Sequence, residues 1–202
     1  MHSIRDIGKK FSEYLDSVDV NLTEDDDGRL ESLKSEDAIT DALREKFPDV
    51  NFLEKGHNRS FGDIDIEIDG RIYSINVKIV SEKTGTYNAG GPKVFNYILF
   101  GKTNTGWNNL VKRVLADKPS DIHSEYFYLV YYKRSNKLTQ FFSLTDVDDR
   151  SVVSNPSNPI QLKQNLLTTN RTSQEKVDFI VGLLVEVLKK RANPYLLLTG
   201  AI

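Results

Sequence analysis

The chain has 202 residues, 39% of them hydrophobic and 28% charged, with a net charge of −2. That is enough apolar content for a domain-sized core and too much for a disordered chain. No run approaches the ~18 consecutive apolar residues of a membrane span, and residues 1–20 lack the apolar centre of a secretory leader. The absence of cysteine excludes disulfide frameworks, zinc–thiolate sites and cysteine nucleophiles, and the expected setting is a reducing cytoplasm with no membrane partner.

Ile4, Ile7, Phe11, Tyr14, Leu15 and Val18 recur every three or four residues and predict an amphipathic helix within residues 1–22. After the acidic break Glu24–Gly28, a second helix carries Leu30, Leu33, Ile39, Leu43 and Phe47, and Pro48 stops it. Residues 50–54 read as a strand. Ile64, Ile66 and Ile68 alternate with Asp65 and Glu67 ahead of Asp69-Gly70, the strongest hairpin signal in the chain. Beyond a glycine-containing loop, Val94–Phe100 is an unassigned apolar stretch, Trp107–Ala116 a helix, and Tyr126–Tyr132 a central strand paired with Gln140–Leu144. Residues 149–171 read as irregular. Thr172 and Glu175 form a capping box opening a helix over 172–192, which Asn193-Pro194 ends. The expectation is a mixed α/β fold, a central mixed β-sheet flanked by helices, in one domain over 1–202 with its core in 30–150.

A two-residue turn at Asp69-Gly70 fixes the register of the hairpin. Ile68 faces Arg71, and the same count places Asp63 opposite Asn76, where paired side chains stand roughly 5 Å apart. Lys78 shares the face of Asn76, because strand side chains alternate with period two. Such a cluster suits metal-assisted phosphodiester hydrolysis. Mg²⁺ needs only one or two carboxylates besides a phosphate, and a neighbouring ammonium can orient water and offset charge developing on phosphorus. The same acidic alternation is also ordinary patterning for a strand with one solvated face.

Gly62-Asp63 followed by Ile75-Asn76-Val77-Lys78 resembles the signature of the PD-(D/E)XK nuclease superfamily. Asp63 matches its metal-binding aspartate and Lys78 its lysine. Glu36, in Ser35-Glu36-Asp37-Ala38-Ile39, is similar in placement to the acidic residue of the preceding helix, on the face of Ile39, Leu43 and Phe47. The resemblance implies a restriction-endonuclease-like fold, Mg²⁺ at Asp63 and Asn76, and a catalytic group of Asp63, Asn76, Lys78 and Glu36. Gly62 stands where the family has proline, and Asn76 where it has a carboxylate. Three accounts of Asn76 stay open: an introduced Asp-to-Asn change, a second acid supplied by Asp65, Glu67 or Glu36, or a relative that binds without cutting.

Residues 77–118 hold 7 Lys/Arg against 2 Asp/Glu, while residues 1–37 hold 5 against 11. This asymmetry permits a local polyanion-binding surface on an acidic chain. Gly90–Phe95 and Lys102–Asn109 are similar to the groove-entering loops of type II restriction endonucleases. Lys83, Asn88, Lys93, Asn96, Lys102, Asn104, Thr105, Asn108 and Asn109 are the candidate DNA contacts, by hydrogen bonds to bases or phosphates. Asn-rich loops are also common turn chemistry. The resemblance favours a blunt-cutting-like enzyme of a prokaryotic cytoplasm, acting on double-stranded DNA as a homodimer, with the first helix and the apolar tail as candidate dimer contacts. A junction resolvase or repair nuclease with the same core, and a non-catalytic DNA-binding relative, are the alternatives.

Overall fold

The computed structural model describes residues 3–20, 22, 28–54, 61–81, 85–117, 119–133, 135–154 and 160–199, with backbone alone at 28–33 and 193–199. The chain forms two compact units, Met1–Thr84 with Tyr126–Leu144, and Gly85–Glu125 with Thr145–Ile202.

In the first unit, helix α1 (Ile4–Ser17) opens with a capping box in which the Ser3 hydroxyl accepts the Asp6 N–H and the Asp6 carboxylate accepts the Ser3 N–H. Such a cap contributes about 1 kcal/mol. Helix α2 (Gly28–Lys46) ends with Arg44 and Lys46 in its last turn, where cations suit the helix dipole, two residues ahead of Pro48. The strands are β1 (Asn51–Phe52), β2 (Ile64–Ile68), β3 (Arg71–Ser81), β5 (Tyr126–Lys133) and β6 (Gln140–Ser143), the label β4 falling in chain order to the second unit. They form one mixed sheet in the order β1-β2-β3-β5-β6. β3 and β5 run parallel and the other neighbours antiparallel. β3 is therefore the middle strand and β5 is internal beside it. The strand predicted at 50–54 shrinks to two residues.

One face of this sheet makes the core. Ile64 and Ile66 of β2, Ile75 and Val77 of β3, and Phe127 and Leu129 of β5 pack with Ile7, Phe11 and Leu15 of α1 and Ile39 and Leu43 of α2. The apolar stripe of α1, a candidate dimer contact from sequence, is thus consumed within its own unit. The turn is as the dipeptide requires: Asp69 and Gly70 both have positive φ, 51° and 73°.

In the second unit, β4 (Thr86–Gly90), β7 (Val152–Val153) and β8 (Ile160–Lys163) form an antiparallel sheet in the order β4-β8-β7. The 149–171 segment, expected to be irregular, supplies two of these strands. The apolar stretch before Gly101 is helix α3 (Pro92–Phe100), buried nearly all round, which is why it shows no amphipathic period. Helix α4 (Trp107–Ala116) follows as expected. Helix α5 (Ser173–Thr199) continues past Asn193-Pro194, which the sequence reading places at its end. A proline removes one N–H bond, but the leucines after it are good helix formers and the helix carries on through it. No helix among the described residues is long and apolar enough to cross a membrane.

Candidate active site

The hairpin holds the register that its turn dictates. Ile68 pairs with Arg71, Glu67 with Ile72, Ile66 with Tyr73, Asp65 with Ser74 and Ile64 with Ile75. The ladder stops there, and Asp63 sits one residue beyond it. Its carboxylate takes over the bonding: Asp63 Oδ2 accepts the Val77 backbone N–H at 2.7 Å. The contact falls on the β3 backbone between Asn76 and Lys78.

Pairing of β3 with β5 is regular from Ser74↔Tyr126 to Ser81↔Lys133, with no bulge. Since Ile75 and Val77 belong to the core, alternation sets Ser74, Asn76 and Lys78 out of phase with them along β3. Lys78 Nζ lies 4.0 Å from Glu36 Oε1, with side-chain exposures of 26% and 15%. α2 thereby delivers an acidic group to the lysine, while Ile39 and Leu43 anchor the helix in the core. Asn76 is half-buried, and its amide makes no hydrogen bond among the described residues. The structure thus brings Asp63, Asn76, Lys78 and Glu36 to one stretch of β3.

Asp65 and Glu67, considered as substitutes for a second acid, are engaged elsewhere. Asp65 is only 4% exposed and accepts the Phe61 and Gly62 N–H groups at 3.2 and 3.3 Å and the Ser74 hydroxyl at 2.6 Å. Glu67 accepts from the Asn51 amide at 3.3 Å. The sequence reading missed the structural work of Asp65, although the hairpin count already pairs it with Ser74. Gly62 has its own explanation: a Cβ there would fall 2.6 Å from the Ile75 carbonyl oxygen and 2.7 Å from its nitrogen. The backbone approaches too closely for any side chain.

Donor chemistry gives the test of fit for Mg²⁺. Asp63, Glu36 and the Asn76 carbonyl are hard oxygen donors of the kind the ion takes, and one or two carboxylates suffice when a phosphate completes the shell. No group of three or more His, Cys, Asp or Glu suited to a metal occurs among the described residues.

The candidate DNA contacts fall in the second unit, except Lys83, which lies outside the described residues. Asn88, Lys93, Lys102, Asn104, Asn108 and Asn109 are exposed and Thr105 is half-buried. Asn88 also accepts the Gly90 N–H at 3.0 Å, a turn-forming bond. Asn96 departs from expectation. It is fully buried, donates to the Lys102 carbonyl and accepts from the Arg113 guanidinium, so it ties α3 to its following loop and to α4 and presents nothing to solvent. Trp107 packs against Phe95, with the Arg191 guanidinium 5.2 Å from its ring centre.

No protein-family model matches the chain, and none of the curated proteins matches it in sequence.

Proposed function

We propose that this chain is a Mg²⁺-dependent endonuclease of the PD-(D/E)XK kind that hydrolyses double-stranded DNA in the manner of a type II restriction enzyme. The observation that carries the reading is the meeting of Glu36, Asp63 and Lys78, from a helix, a hairpin mouth and a central strand, at one short stretch of β3.

In this reading Asp63 and the side chain at position 76 hold the ion, and Glu36 supports it or its waters. Bound there, Mg²⁺ would polarise the scissile phosphate and make a coordinated water a better nucleophile. Lys78 orients the attacking water and offsets the negative charge that grows on the phosphate oxygens. Glu36 holds the ammonium toward that position. The exposed Lys93, Lys102, Asn104, Asn108 and Asn109 are the candidates for phosphate and base contacts. A palindromic duplex presents two equivalent scissile bonds, so two copies related by a two-fold axis are required for a double-strand cut. Such an enzyme works in a prokaryotic cytoplasm, where its DNA substrate is.

One observation favours a second reading, a relative that binds DNA without cutting it: Asn76 brings an amide without charge to a ligand position. Incubation of supercoiled plasmid with the unsubstituted chain and with Asn76→Asp, in Mg²⁺ and in EDTA, beside a gel-shift assay of binding, separates the two. Discrete Mg²⁺-dependent fragments from either protein support the nuclease. DNA binding with no cleavage by either protein supports the silent relative, and neither binding nor cleavage overturns both.

A further inference from the structure

The acidic residues of the hairpin do different work. We propose that Asp65 is a positioning residue, whose buried carboxylate fixes the Phe61–Gly62 turn so that Asp63 is delivered to the β3 backbone between Asn76 and Lys78. The positioning stands on geometry alone; its importance for metal binding rests on the nuclease reading.

Burying a carboxylate is costly unless hydrogen bonds replace its water, and here three donors do so. Oδ1 accepts from the Gly62 N–H and the Ser74 hydroxyl, and Oδ2 from the Phe61 N–H. Three of about four acceptor sites on a carboxylate are therefore turned inward, onto two consecutive backbone amides of the turn and one hydroxyl of the partner strand. None of these donors is a cation.

The turn is pinned from other directions as well. The Phe61 ring lies 5.2 Å from that of Tyr126, and Gly62 is seated against the Ile75 backbone with no room for a Cβ. Ile64 is already in the ladder. Asp63 is thus held between fixed neighbours on both sides, and its carboxylate reaches the Val77 N–H. Of the acids considered as substitutes for the one lacking at position 76, this leaves Glu36 as the group beside Lys78.

Amide hydrogen exchange by NMR on the full chain tests the proposal, with Asp65→Asn and Ser74→Ala as variants and the Leu129 amide as a core control. Asp65→Asn replaces one acceptor oxygen by a donor. The Val77 amide should exchange at least tenfold faster while Leu129 keeps its protection, and Ser74→Ala should act in the same direction more weakly. Should Asp65→Asn fail to fold, Ser74→Ala decides. Val77 exchange within twofold of the unsubstituted chain, or equal acceleration at Leu129, would overturn the positioning role.

A Mg²⁺ titration of the same proteins, read at the Val77 amide shift, should show at least tenfold weaker binding in Asp65→Asn. Loss of Val77 protection in a chain that binds no Mg²⁺ even before substitution leaves the positioning role standing and overturns the nuclease reading. Unchanged Mg²⁺ affinity together with intact Val77 protection overturns the positioning role and leaves that reading untouched.

Discussion

The Lys78 ammonium stands 4.0 Å from the Glu36 carboxylate, joining the middle strand of the sheet to a helix far from it in sequence. If Lys78 handles the attacking water, Lys78→Ala should lower DNA cleavage by roughly 10²–10⁴-fold, the usual worth of such a group, and leave DNA affinity within a few-fold. A gel-shift assay beside a cleavage assay reads both. A parallel loss of binding would assign Lys78 to phosphate contact instead.

Asn76→Asp adds a charge at a position whose amide has no hydrogen-bonding partner among the described residues. It should tighten Mg²⁺ binding by at least tenfold, or about 1.4 kcal/mol, as measured by calorimetric titration. An unchanged or weaker affinity would remove position 76 from the ligand set.

Gly62→Ala places a methyl group 2.6 Å from the Ile75 carbonyl oxygen. Backbone cannot give way as a flexible side chain can, so a loss of about 1–3 kcal/mol is expected, measured by urea unfolding. Because the strain falls on the turn that carries Asp63, weaker Mg²⁺ binding should accompany it.

These predictions concern the part of the molecule that the sequence describes best, and the reason is local. A two-residue Asp-Gly turn and alternating isoleucines determine register without any distant partner, so pairing as far as Ile64↔Ile75 follows by counting. The placement of Glu36 is legible from its helical face, shared with Ile39 and Leu43. The β4–β8 pairing joins Thr86–Gly90 to Ile160–Lys163, and neither piece has enough length or alternation to announce itself. α3 hides because burial on every side erases its period. Asn96 could not be told from its exposed neighbours, since an asparagine that ties a corner and one that meets a base look alike in sequence. The role of Asp65 was within reach, but an acid on an alternating strand reads first as solvated.

In the second unit, the Arg150 guanidinium holds the Asp148 carboxyl down to about 2, against 3.8 for an ordinary aspartate, with the Arg150 backbone N–H adding to the effect. The folded-state value lies below the unfolded one. Any stabilisation from this pair is therefore present above 3.8 and lost as the pH falls through about 2. A carbon-13 NMR titration should place the Asp148 midpoint near the lower value and show Arg150→Ala moving it up toward the ordinary one. An unmoved midpoint would assign the depression to another group.

The most direct test of the proposed metal site is a Mn²⁺ anomalous-scattering map from crystals of the Asn76→Asp protein bound to duplex DNA, Mn²⁺ standing in for Mg²⁺. The nuclease account predicts a peak ligated by Asp63 and residue 76 and by a phosphate oxygen of the DNA. A map with no peak at Asp63, or with the ion bound only elsewhere, would contradict it.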